Sequence, residues 1–166
     1  SVAVSSGTAA LEIAIKALGI KKNDEVLIPN FTIISNALAI IRQQAKPVLI
    51  DCNLKDWNIK IEDIEKNISK KTKAIIITHI YSFPNDMDKI LKICKKHNLF
   101  VIEDAAQAIA SRNIDGYLGL QSDVGCFSLS VAKTISTGQG GFAVTNNSEL
   151  ATKIRAIRTQ GVENVK

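Results

Sequence analysis

Lys73-Ala74-Ile75-Ile76-Ile77-Thr78-His79 runs through four consecutive apolar residues before reaching a polar one. A strand with one face in water alternates apolar and polar side chains, whereas an unbroken run suits a strand covered on both faces. Leu99-Phe100-Val101-Ile102-Glu103 repeats the pattern and leads into Asp104. Between the two runs, Asp86 to His97 reads as a helix with Met87, Ile90, Leu91 and Cys94 on one side. A buried strand, a helix and a second buried strand are the unit of a parallel sheet.

The same alternation extends outward in both directions. Upstream, Thr8 to Leu18 reads as a helix stopped by Gly19, and Glu25 to Ile28 as a strand closed by Pro29. Thr32 to Gln43 follows as a helix, Pro47 to Asp51 as a strand, and Ile61 to Ile68 as a helix after a turn around Asn53 to Asn58. Downstream come strands at Val124 to Ser128 and Gly141 to Thr145, then a helix from Ser148 to Arg158 with Asn147 or Ser148 as its cap. The expected fold class is therefore α/β, a three-layer α/β/α arrangement with a mostly parallel central sheet and right-handed crossovers. Ligands of such sheets sit beyond the carboxyl ends of the strands. Asp104 and Lys133 both fall just past expected strands, on that side.

Bulk properties narrow the class. At 166 residues, 46% hydrophobic and 22% charged, the chain suits one soluble domain with a substantial core. The net charge of +5 comes from short clusters such as Lys21-Lys22 and Lys95-Lys96, placed where helix ends or loops are expected. Solvated helix ends explain them, so nucleic acid is not an expected partner. Cys52, Cys94 and Cys126 are far apart and form no CxxC pair. They indicate neither a zinc site nor a disulfide framework, and reduced thiols imply a cytoplasmic location. No signal peptide is expected, and no apolar run reaches membrane-spanning length. The chain opens Ser-Val-Ala-Val without a methionine and closes at Gly161 to Lys166 just after a helix, which reads as a fragment of a longer protein.

Three features converge on one chemistry. Lys133 lies between the strand-like Phe127-Ser128-Leu129 and the glycine-rich Gly138-Gln139-Gly140-Gly141. Its neighbours Val131, Ala132 and Ile135 are apolar, and a desolvated lysine can give up its proton and act as an amine nucleophile. Asp104 ends an apolar strand, where a carboxylate can keep a pyridine nitrogen protonated. A helix N-cap or a metal ligand is the competing role for it. Gly7, Thr8 and Ala9 open a helix, whose free N–H groups suit a phosphate, although an ordinary Ser/Thr cap would look the same. Ser128 could add a hydroxyl to that phosphate, and Gln107, three residues beyond Asp104, could reach a ring oxygen. Amine, acid and anion-binding turn together suggest pyridoxal 5'-phosphate (PLP) as cofactor. His79 ends a strand on the same side, and His97 suits a helix C-terminus.

On these residues the chain resembles the DegT/DnrJ/EryC1/StrS family of sugar aminotransferases. The resemblance rests on Ser6-Gly7-Thr8-Ala9-Ala10-Leu11, Gly19-Ile20 with Asp24-Glu25-Val26 and Pro29, and Ala45-Lys46-Pro47-Val48 with Asp51. It continues through Thr72 to His79, Asp86-Met87-Asp88, Val101 to Gln107, and Cys126 to Lys133 with Gly140-Gly141. It implies a fold-type I, aspartate-aminotransferase-like large domain spanning 1–166, with an N-terminal segment and a C-terminal small domain outside it. It further implies an internal aldimine on Lys133, Asp104 at the ring nitrogen, Gln107 near the ring oxygen, and Gly7, Thr8, Ala9 and Ser128 on the phosphate. The implied reaction moves an amino group from glutamate or glutamine to a nucleotide-linked keto sugar, in a homodimer with shared active sites and no membrane partner. Products of such enzymes feed polysaccharide or antibiotic-sugar biosynthesis. Three positions depart from the family pattern: Ile33 where an aromatic residue usually covers the ring, unless Phe31 does so; Ser82 where glycine is usual; and Gln139 where an acid is common. Competing readings are a PLP-binding regulator without turnover, and a doubly wound nucleotide-binding domain without PLP. The second lacks the G-x-G-x-x-G turn.

Overall fold

The computed structural model describes residues 1–161; the final stretch, 162–166, lies outside the described residues. The elements in chain order are β1 (Val2–Val4), α1 (Gly7–Ala17), β2 (Glu25–Pro29), α2 (Ser35–Arg42), β3 (Lys46–Ile50), α3 (Ile61–Ile64) and β4 (Thr72–Thr78). Then come α4 (Met87–His97), β5 (Phe100–Asp104), β6 (Arg112–Asn113), β7 (Gly116–Tyr117), β8 (Val124–Ser128), β9 (Gly141–Val144) and α5 (Ser148–Arg158). Seven strands form one sheet in the order β1-β9-β8-β5-β4-β2-β3. Neighbours from β8 to β3 pair in parallel, while β9 is antiparallel to both β8 and β1. The expected mostly parallel α/β sheet is therefore present.

Side-chain alternation along the strands builds a core on each face. Val26, Ile28, Ala74, Ile76, Ile102 and Val124 join the helix residues Leu11, Ile15, Ile40 and Ile154 in one cluster. Leu27, Ile50, Ile75, Ile77 and Val101 point the other way and meet Ile64, Met87, Ile90 and Cys94. Each fully buried Ile or Leu contributes about 1.5–3 kcal/mol by leaving water. That is why Ala74 to Ile77 tolerates no polar residue: both of its faces are dry.

Most expected boundaries agree with the structure to within one or two residues. Two boundaries differ more, the first at α2, expected from Thr32 but beginning at Ser35. Thr32 Oγ1 is held by Asn36 Nδ2 at 2.8 Å and lies 3.1 Å from Thr78 Oγ1, which ties the approach segment to the end of β4. The expected helix at Ile61 to Ile68 tightens after Ile64 into a 3-10 turn over Glu65–Asn67. Strand β1 and the β6–β7 hairpin were not expected; three- and two-residue strands carry too little periodicity to read.

The sheet's order puts β4, β5 and β8 side by side, with Thr78 opposite Asp104 and Asp104 opposite Cys126 in register. After β4 the chain turns through Tyr81 (φ 47°) and Ser82 (φ 68°), both in the left-handed region. There glycine is favoured, so the usual glycine at the Ser82 position has a physical reason. Ser82 is held instead by its hydroxyl, which donates to the Gln107 carbonyl. A hydrogen bond and a left-handed Cβ are each worth about 1 kcal/mol, so the two nearly offset. Both Ser82→Ala and Ser82→Gly lose the bond, but only alanine keeps the Cβ. Ser82→Gly should therefore be more stable than Ser82→Ala by about 1 kcal/mol in urea unfolding of the full-length protein.

Candidate active site

The site grows from the ends of three strands and the start of one helix. Ser6 caps α1, its Oγ accepting from the Ala9 N–H at 3.1 Å. Gly7 begins the helix against Ser128, the last residue of β8. A Cβ on Gly7 would lie 2.8 Å from Ser128 Cβ, closer than two such atoms approach, so only glycine lets the helix start sit on the strand end. Thr8 donates its hydroxyl to Ser35 Oγ at 2.9 Å, joining the starts of α1 and α2.

These groups enclose a cavity of about 310 Å³ lined by Gly7, Thr8, Ile33, Asp104, Ser128 and Lys133, among others. Of the residues singled out in the sequence, Gly7, Thr8, Ser128, Asp104 and Lys133 thus come together. Ala9 does not line the cavity, and its N–H is already engaged by Ser6. Gln107 lies in an adjoining cavity of about 450 Å³ with Tyr81, Ser82 and Thr134, and its Oε1 accepts from the Tyr81 N–H at 2.8 Å. Ala106 and Lys133 line both cavities, so the lysine stands on the wall between them. Ile33 faces the first cavity, whereas Phe31 packs on Trp57 with ring centroids 4.9 Å apart.

The two carboxylates that end β5 have opposite fates. Glu103 is fully buried and fully used: Gly119 N–H donates to it at 2.7 Å, Gln121 N–H at 2.8 Å, and His79 Nε2 stands 3.3 Å away. His79 Nδ1 accepts from the Asn85 N–H at 3.3 Å, so its proton sits on Nε2 and points at Glu103. The pair fixes the loop before β8 to the end of β4, and His79 belongs to this scaffold. Asp104 faces the other side. Its Oδ1 accepts from the Ala106 N–H at 3.1 Å, while Oδ2 is buried without a partner. A buried polar atom left unpaired costs about 1–3 kcal/mol, more when charged. Of the two acids, Asp104 is the one built to receive a donor.

Burial pushes the Asp104 carboxyl above the ordinary carboxylate range, against the pull of the Ala106 N–H, Asn36 and the charge at Lys133. No group of three His, Cys, Asp or Glu side chains able to hold a metal occurs among the described residues. The cysteines do not suit a nucleophile's role: burial pushes the Cys94 thiol up to about 12 and the Cys126 thiol well above its ordinary value.

Sequence reading did not single out Ser35, Ser130 or Asn36. Ser35 and Ser130 line the cavity, and Asn36 is wholly buried beside it. Isolated polar residues in loops or on a short helix carry no periodic signal. The helix opening at Gly7 to Ala9, by contrast, was read from the sequence, and Ser6 is its cap.

Known proteins resemble the chain along its length. The DegT/DnrJ/EryC1/StrS aminotransferase family matches residues 1–166. The GDP-perosamine synthase of Escherichia coli O157:H7 is 42% identical over 96% of this chain and 44% of its own length. The UDP-N-acetyl-3-dehydro-alpha-D-glucosamine 3-aminotransferase of Acidithiobacillus ferrooxidans is also 42% identical, over 96% of this chain and 44% of its own. The crystal structure of DesV from S. venezuelae superposes with a TM-score of 0.95 at 35% identity, covering 99% of this chain and 44% of that one. The chain thus spans a little under half the length of these relatives.

Asp104's burial has a pH consequence in the cofactor-free protein. An unfolded chain loses the Asp104 proton in the ordinary range, while the folded chain keeps it to higher pH. Between the two values the folded state binds more protons, so stability falls as pH rises through that window. Asp104→Asn removes the dependence. Thermal unfolding of the cofactor-free full-length protein should show the variant more stable than the parent at pH 8, with the gap closing at low pH.

Proposed function

The chain belongs to the DegT/DnrJ/EryC1/StrS aminotransferase family, and from that premise we propose that it is the cofactor-binding large domain of an enzyme that moves an amino group from glutamate, or glutamine, to a nucleotide-linked keto sugar. The observation that carries this reading is a single cavity holding the Lys133 amine, the half-paired Asp104 carboxylate and the first turn of α1. Members of the family use PLP. When bound, PLP supplies a carbonyl open to an amine and a ring that takes up electrons from the substrate carbon.

The residues present fit that group. Asp104 Oδ2 offers a dry acceptor for a protonated ring nitrogen. The Gly7–Ser128 contact leaves a cradle that a Cβ would fill, and the first-turn N–H groups and the hydroxyls of Thr8 and Ser128 suit a phosphate. Ala9 falls outside this set: its N–H is engaged by the Ser6 hydroxyl and it does not line the cavity. Ile33 would cover the ring with an aliphatic surface. Lys133 would attach the cofactor and carry a proton at Nζ to and from the substrate carbon. Gln107, one cavity over, would lie toward the ring's phenolic oxygen and help to position the acceptor.

The acceptor class is supported by relatives named for GDP- and UDP-linked sugars. No helix among the described residues is long and apolar enough to cross a membrane. Three buried free thiols suit a reducing cytoplasm. Ile34, Leu38 and Ile41 leave an exposed apolar face on and before α2, beside the cavity residue Ile33. This face supports a homodimer in which the second copy closes the site.

Two outcomes test the reading. Full-length protein given PLP, glutamate and a keto sugar linked to GDP or UDP should form the amino sugar, and Lys133→Ala should lower the rate by roughly 10²- to 10⁴-fold or more. PLP binding without amine transfer to any such sugar would sink the proposal. Gly7→Ala should weaken PLP binding about tenfold or more by forcing Ser128 from the cradle, read from the dissociation constant; a tenfold loss equals about 1.4 kcal/mol.

A further inference from the structure

Two side-chain oxygens are buried without a partner among the described residues, Asn36 Oδ1 and Asp104 Oδ2. They are neighbours. Asn36 Nδ2 donates to Thr78 Oγ1 at 2.9 Å and to Thr32 Oγ1 at 2.8 Å. Thr78 is opposite Asp104 in the parallel register of β4 and β5, so their side chains stand together on one face of the sheet. Asn36, wholly buried at the start of α2, closes that face. Asn36 also lies close enough to Asp104 to bear on the ionisation of its carboxyl.

Two acceptors facing each other in a dry site are costly, and one rotation removes both costs. Turning the Asn36 amide about its last bond brings Nδ2 to Asp104 and Oδ1 to the threonines. Thr32 and Thr78 hydroxyls can donate as readily as accept, so each can hold the turned Oδ1, and the bond given up is the one between the two hydroxyls. We propose that Asn36 is a positioning residue for Asp104: its amide donates to Oδ2, with Thr32 and Thr78 holding the amide from behind. A carboxylate oxygen has two lone pairs, so Oδ2 still has one for a ligand.

The purpose is electrostatic. Burial alone favours a neutral Asp104, which could not hold a cationic ring nitrogen. The ionisable groups around it are Lys133 across the cavity and the Cys126 thiol on β8 on its own face, with His79 and Glu103 on the opposite face of the sheet. Lys133 is the nearby cation, and under the proposed function its amine is committed to the cofactor. An uncharged donor that does not take part in the reaction would keep the aspartate ionised throughout. The consequence for PLP rests on the proposed function; the hydrogen bond itself does not.

The test is a carbon-13 NMR titration of the Asp104 carboxyl in cofactor-free full-length protein, its signal assigned by loss in Asp104→Asn. Asn36→Ala should raise the Asp104 midpoint by about one pH unit or more, a tenfold change in acid dissociation. Asn36→Leu, which fills the space better, should do the same. Thr78→Val disturbs the same packing without removing the donor and should move the midpoint far less. If both Asn36 variants titrate like the parent, or Thr78→Val moves the midpoint equally, the inference is overturned. PLP affinity, measured separately by fluorescence at a pH below the parent's Asp104 midpoint, should fall about tenfold in Asn36→Ala, by the same ratio as the acid dissociation constant. A shifted midpoint with unchanged PLP affinity would leave the hydrogen bond standing and contradict the cofactor's use of Asp104.

Discussion

A carboxylate oxygen buried with a lone pair to spare is the constraint around which the site is arranged. Asp104 ends β5, the central strand of the seven, and is shielded by β4 on one side and β8 on the other. Dry surroundings make every hydrogen bond to it count for more than the same bond in water, and make a missing one costly. A protein accepts that cost where a ligand will later supply the donor. Lys133, the start of α1 and Ser128 are all placed with respect to this one group.

The sheet accomplishes the placement by simple alternation. Successive side chains on a strand point to opposite faces. Glu103 therefore turns to the side of His79 and the Gly119 to Gln121 backbone, while Asp104 turns to the side of α1 and α2. The first acid is satisfied within the protein and stiffens the scaffold. The second is left open to the cavity. Moving β5 by one residue would exchange the two, which is why the paired apolar cores on both faces matter to function: they fix the register.

Much of this was legible in the sequence because it has periodicity or punctuation. Ala74 to Ile77 suited a strand dry on both faces, and the Ser6-Gly7-Thr8 opening marked a helix start. Lys133 and Asp104 stood out as charges at strand ends. What could not be read lies in contacts between distant segments. Asn36 meets Thr78 across 42 residues, and Ile33 rather than Phe31 faces the cavity because Phe31 is drawn away by Trp57. Gln107 faces the neighbouring cavity because Tyr81 and Ser82, in strained left-handed conformations, lean on it. The start of α2 was misjudged by three residues because Thr32 is held by Asn36 and Thr78 instead of joining the helix.

The most direct measurement is borohydride reduction of the full-length protein loaded with PLP, followed by peptide mass mapping. A pyridoxyl adduct on Lys133 alone, matched by loss of the visible absorbance band, is the predicted result. An adduct on another lysine, or none, would contradict the assignment of Lys133 and of the cavity it shares with Asp104.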